Sequence, residues 1–174
     1  SSFPCQPLPG VEATHVMPVA FSGLAGSQVG TTIQSSQPPG RLRSSVRRFR
    51  SLYLAGRYWF GPYSVWTYRR QFHKLVETIQ PDVVHSLRIP YEGMLASYTP
   101  PGIPLAVSVW GNDLTLHANG SPWMRKLTHR TLLRADGLLA DAARDIRLAS
   151  QMGLRPDLPT KVVPGSGGLD LMEM

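Results

Sequence analysis

Beyond residue 80 the apolar positions fall into two alternating rhythms. Asp82 to Ser86, Leu105 to Trp110, Gly137 to Ala140 and Lys161 to Val163 are short, nearly continuous apolar runs that predict strands. Between them apolar residues recur every three or four positions, predicting helices over Tyr91 to Tyr98, Pro122 to Arg134 and Ala142 to Met152. The punctuation agrees: Ser121 is suited to cap the second helix, with Pro122 in its first turn, and Gly153 to close the third. Apolar strands separated by helices pair in parallel through right-handed crossovers. The expected class is therefore α/β, a parallel sheet with helices on both faces.

The first 80 residues read differently. A strand is predicted around Glu12 to Met17, then a long Gly/Ser/Gln-rich loop from Ser22 to Gly40. From Arg41 to Ile79 the helical spacing returns through Val46, Phe49, Leu52 and Tyr53, then Val65, Tyr68, Phe72, Leu75 and Ile79, and Gly61-Pro62 divides it into two predicted helices. With 42% hydrophobic and 17% charged residues, 174 residues suffice for one globular domain.

Charge changes this picture more than composition does. The net charge of +7 is concentrated. No acidic residue lies between Glu12 and Glu77, where Arg41, Arg43, Arg47, Arg48, Arg50, Arg57, Arg69, Arg70 and Lys74 all fall. Such a 41–74 block attracts polyanions, chiefly anionic lipid surfaces and nucleic acids. Its arginines are interleaved with Phe49, Tyr53, Tyr58, Trp59, Phe60, Tyr63 and Trp66. That mixture suits an interfacial helix on anionic lipid, and equally a helix whose aromatics are core and whose arginines are solvated. No nucleic-acid motif accompanies it, so nucleic acid is not an expected partner. The single cysteine, Cys5, excludes an internal disulfide and permits a cytoplasmic setting. The most apolar stretch, Ser51 to Tyr68, is broken by Arg57 and Gly61-Pro62, so no bilayer span is expected. The first residue is Ser and no leader precedes Phe3, which suggests that the natural chain begins upstream.

In parallel α/β sheets ligands bind beyond the carboxyl ends of the strands. Those ends carry His85-Ser86-Leu87-Arg88, Trp110-Gly111-Asn112-Asp113, Asp141-Ala142 and the glycine-rich 164–170 segment. In the second of these, glycine admits a ligand close to the backbone, Asn112 offers donor and acceptor, and Asp113 suits a sugar hydroxyl or a cation-like centre. A plain strand-to-helix turn capped by Asp explains the same residues. His85 fits a satisfied core histidine as well as a ligand contact, and Arg88 a phosphate or carboxylate clamp as well as a solvated surface residue. No metalloprotease, phosphate-loop or nucleophile-elbow motif is present, and His117 and His129 have no other ligand types nearby, so no metal is expected.

The ordered segments 81–85, 104–114 and 133–141, followed by Met152-Gly153-Leu154, Lys161 to Gly165 and Gly168-Leu169-Asp170, resemble family 4 glycosyltransferases of the GT-B fold. The likeness covers about residues 80 to 172. It implies the Rossmann-like N-terminal domain of a retaining enzyme that moves a sugar from a nucleotide-sugar donor to a glycan or lipid-linked acceptor, without an obligatory metal. By that likeness Asp113, Asn112 and His85 are the catalytic candidates, and Gly111, Trp110, Arg88 and Tyr91 the substrate-binding ones. Gly168 and Asp170 belong to an interdomain hinge. The resemblance also implies that this domain holds no cofactor and that the donor sits in a second, absent domain, so the 174 residues alone are expected to be inactive. Many members carry histidine where Trp110 and Leu87 stand, so histidine roles do not carry over to those positions. Trp110 is suited instead to stack on a sugar ring. The expected location is cytoplasmic, peripheral to the inner face of a membrane. Two readings of another class stay open: a non-catalytic α/β module on anionic membranes and, more weakly, nucleic-acid binding.

Overall fold

A computed structural model describes residues 10–19 and 40–164, with side chains in the first helix described from residue 55 onward. The elements run α1 (Gly40–Ile79), β1 (Val84–Ser86), a π-type turn (Ile89–Gly93), α2 (Met94–Ala96) and β2 (Leu105–Val109). A second π-type turn (Asp113–His117), α3 (Pro122–Arg134), β3 (Gly137–Ala140), α4 (Ala143–Gln151) and β4 (Thr160–Val162) complete them. The four strands form one sheet in the order β1-β2-β3-β4, every pair parallel. This is the Rossmann-like α/β arrangement that the alternation predicts. The predicted loop lies outside the described residues up to residue 39, its last residue, Gly40, opening α1, and the hinge residues Gly168 and Asp170 lie outside them too.

The sheet is buried mainly on one side. Leu105, Val107, Val109, Leu138 and Ala140 are buried with Leu132 of α3, Ala135 just beyond it and Ala149 of α4. Their neighbours on the opposite face, His85, Ala106, Ser108, Gly137 and Leu139, stay exposed or half-buried among the described residues. The consecutive strand order accounts for this, because successive right-handed crossovers place their helices on the same face. A second apolar cluster lies within the helical layer, where Val65 of α1 meets Met94 of α2 and Met124 of α3.

Three predicted elements require correction, the first being the helix expected over Tyr91 to Tyr98, which is α-helical only over Met94–Ala96 because Tyr91 takes a φ of +61°. The segment around Glu12 to Met17 is not a strand: it joins no ladder, and it contributes Met17 and Val19 to the second cluster as buried side chains of irregular chain. Nor do Gly61 and Pro62 divide the helix, for α1 runs through both without interruption. Proline removes the N–H that would bond the carbonyl four residues back. That carbonyl, of Tyr58, instead accepts the Ser121 hydroxyl at 2.7 Å. Gly61 makes room for the Tyr91 ring, whose nearest carbon would lie 2.6 Å from an added Cβ. The Tyr91 hydroxyl then donates to the Arg57 carbonyl at 2.9 Å. A local helix breaker thus becomes a docking notch, because another segment takes up the carbonyl that Pro62 frees.

At the amino end of the sheet Asp136 acts as a clamp. It accepts the Leu105 N–H at 3.0 Å and Arg134 at 2.7 Å, and Arg134 also donates to the carbonyls of Pro100 and Ile103. Burial raises the Asp136 pKa, but the Leu105 hydrogen bond and the charges of Arg134 and Arg155 outweigh it and hold the carboxyl below its ordinary value. The Ser121 cap is present as predicted, its hydroxyl accepting the Met124 N–H at 3.2 Å. Gly153 ends α4 with a φ of +105°.

Candidate functional site

The carboxyl ends of β1 and β2 are tied together by one carboxylate. Asp113 is fully buried. One of its oxygens accepts Arg88 Nη2 at 3.1 Å, and the other accepts the backbone N–H groups of Ile89, at 3.1 Å, and Trp110, at 3.3 Å. The Asp113 N–H returns to the Trp110 carbonyl at 2.8 Å, closing a tight turn over 110–113. Of the two sequence readings for Asp113, the turn-forming one describes its contacts. The carboxylate faces protein donors, and it holds Arg88 and the turn in place.

The loop after β1 is shaped to meet it. Tyr91 has a φ of +61°, and Gly93 packs so closely that an added Cβ would lie 2.8 Å from the Arg88 carbonyl and 2.9 Å from Ser86 Oγ. The Ser86 hydroxyl donates to that same carbonyl at 2.7 Å. Arg88, so placed, keeps its guanidinium part-exposed, 5.9 Å from the centre of the Trp110 ring. Trp110, 56% exposed, stands open to solvent with Asn112, whose side chain makes no cap to the turn that follows. Gly111 lies between them. These four residues stand together at the carboxyl ends of β1 and β2, the strand-end crevice position of open α/β sheets, and Asp113 is bonded to Arg88 and to the Trp110 N–H.

His85 and Tyr91 go elsewhere. His85 is not a core histidine: strand alternation turns it to the open face of the sheet, where Nε2 lies 2.8 Å from Ser108 Oγ of β2. There it borders a separate cleft of about 490 Å³ at the edge of β1, lined also by His15 and Glu92. Tyr91, expected among the substrate contacts, is buried in the helical layer, with Arg57 stacked 5.0 Å from its ring centre.

Two further groups escaped the sequence reading. Arg144, in the first turn of α4, reaches back to donate to the Gly111 carbonyl at 3.2 Å and to Asp145 at 2.9 Å. It adds a second, half-exposed cation to the crevice rim. His117 is bonded through Nδ1 to the Tyr58 hydroxyl at 3.0 Å. Burial lowers its pKa; Asp113 opposes that, and Arg88 and Arg57 add to it. Neither role has a short-range signature, since the partners lie 33 and 59 positions away. Among the described residues no cluster of His, Cys, Asp and Glu is suited to a metal ion, and no helix is long and apolar enough to cross a membrane.

A parallel sheet with helices between its strands defines a Rossmann-like α/β protein. Residues 10–165 match the family described as glycosyl transferase 4-like domain, and the chain belongs to that family. No match was found among curated proteins or among solved structures.

Proposed function

We propose that this chain is the acceptor-side domain of a retaining glycosyltransferase of GT-B architecture. A nucleotide-sugar donor is held by a second domain, and the acceptor, a glycan or lipid-linked sugar of the cell envelope, lies in the crevice on the cytoplasmic side. The acceptor oxygen replaces the nucleotide on the sugar, with no obligatory metal. The observation that carries the reading is the family match over residues 10–165.

The crevice supports it chemically. Trp110 presents an apolar face suited to the CH side of a sugar ring, and Asn112 offers an amide for a hydroxyl. Arg88 and Arg144 flank Gly111 as cations able to orient a phosphate or carboxylate on the acceptor. Asp113 acts as a positioning residue through Arg88 and the 110–113 turn. The test is a titration with sugar and sugar-phosphate acceptors, read by Trp110 fluorescence in a variant whose other tryptophans are phenylalanine. Saturable binding, weakened roughly tenfold by Asn112→Ala or Arg88→Ala, about 1.4 kcal/mol, is expected. Absence of saturable binding by any such acceptor overturns the site. Sugar transfer by the 174 residues alone overturns the division of labour between domains.

A further inference from the structure

The aromatics of the basic block separate into two populations, and only one of them is core. Tyr58 and Tyr68 pack within the helical layer. Trp59, Phe60, Tyr63 and Trp66 do not: with Trp123 of α3 they are between 54% and 68% exposed, and they border a groove of about 650 Å³ between α1 and α3. Large aromatics gathered into one exposed patch mark a surface that is covered in use. The crevice is not that surface, for none of the five belongs to it.

The charges beside the groove define what covers it. Arg69 lies 4.1 Å from the Trp66 ring centre, Lys126 5.9 Å from that of Trp123 and Arg130 3.8 Å from that of Tyr98. Their apolar stems follow the rings, and among the described residues none of the three meets a carboxylate. Helix α3 contains no acidic residue, and the single one in α1, Glu77, lies in its last turn. A second copy docked on this face would bring cations against cations. An anionic, apolar-backed partner fits both features, because Trp and Tyr settle at headgroup level while Lys and Arg reach the phosphates.

We propose that the α1–α3 groove docks on an anionic bilayer surface, with Trp59, Phe60, Tyr63, Trp66 and Trp123 inserted at headgroup depth and Arg69, Lys126 and Arg130 on the lipid phosphates. The surface differs from the one suggested by the 41–74 block, since α3 supplies part of it. It stands apart from sugar chemistry. The Tyr58 to His117 bond nonetheless joins α1 to the loop leaving the crevice.

The four tryptophans supply the test. The 174-residue chain is mixed with phosphatidylcholine vesicles, with or without about one third phosphatidylglycerol, some carrying brominated acyl chains that quench nearby indoles. Variants keeping one tryptophan each, the others replaced by phenylalanine, report by position. Binding to the anionic vesicles alone is expected, with the Trp59, Trp66 and Trp123 reporters quenched and the Trp110 reporter unaffected. Lys126→Glu with Arg130→Glu should weaken binding at least tenfold while leaving the far-ultraviolet circular dichroism unchanged. No binding to anionic vesicles, or binding that quenches none of the three groove reporters, overturns the proposal. So does a dimer in solution that dissociates on Trp66→Ser. Loss of sugar binding in the acceptor titration leaves this result untouched, so the two readings fail separately.

Discussion

The strand-end crevice and the α1–α3 groove both present tryptophan and arginine to solvent, yet they are built in opposite ways. At the crevice the exposed groups rest on a buried one: Asp113 takes three donors from two loops, and Arg88 and Trp110 are held by those bonds. At the groove, among the described residues, exposed aromatics are accompanied by cations that meet no carboxylate. A preorganised polar frame suits a small ligand recognised by geometry, whereas a broad aromatic and cationic face suits a surface recognised by its average chemistry.

This contrast makes the consequences of substitution unequal. The largest effect is expected for Asp113→Ala, which strands two backbone N–H groups and frees Arg88. Chemical denaturation should register a loss of about 3 kcal/mol, owed mostly to the N–H groups because Arg88 is part-exposed. A loss below about 1 kcal/mol would mean that the crevice is no better framed than the groove. Gly93→Ala comes next. Its added carbon meets the Arg88 carbonyl at 2.8 Å, a backbone atom that cannot swing aside, and a cost of about 2 kcal/mol should appear in the same measurement.

A smaller effect concerns pH. His117 binds a proton less readily in the folded chain than at its ordinary value of 6.5, so the unfolded chain takes up more protons just below that pH. Its contribution to stability is therefore intact above about 6.5 and falls as the pH drops through and below that value. Asp136 adds a second decline, beginning near its ordinary value of 3.8. Thermal melts from about pH 7 to pH 5 should show the first slope, and His117→Gln should flatten it. An unchanged slope would separate Tyr58 and His117 from the stability of the crevice loop. The smallest effect belongs to the groove: Trp59→Ser and Trp66→Ser should each shift stability by no more than about 0.5 kcal/mol while impairing vesicle binding. A large stability loss there would make those rings part of the fold.

The parts of the molecule legible beforehand are those whose cause is local. Helix α3 and strand β3 fall where their spacing places them, and the Ser121 cap and the Gly153 terminus act within a few residues of themselves. The family likeness also rests on ordered short segments, and the match over residues 10–165 agrees with it. Residue types at the strand ends were legible too, as a consequence of parallel topology. Their division of labour was not.

Pairing across distance decided the rest. Pro62 reads as a break until Ser121, 63 residues from Tyr58, donates to the Tyr58 carbonyl that the proline frees. Asp113 reads equally as a ligand contact and as a turn residue until Arg88 and Ile89, 25 and 24 residues away, occupy it. Tyr91 goes to the helical layer because Gly61 leaves space for its ring, and Arg144 enters the crevice because β2 and β3 lie side by side. Periodicity and capping are properties of neighbouring residues, and the sequence by itself determined the order of strands and helices on that basis. Which polar groups are satisfied, and which are left to face a ligand or a membrane, depends on what packing brings within about 3 Å, and only the tertiary structure decided it.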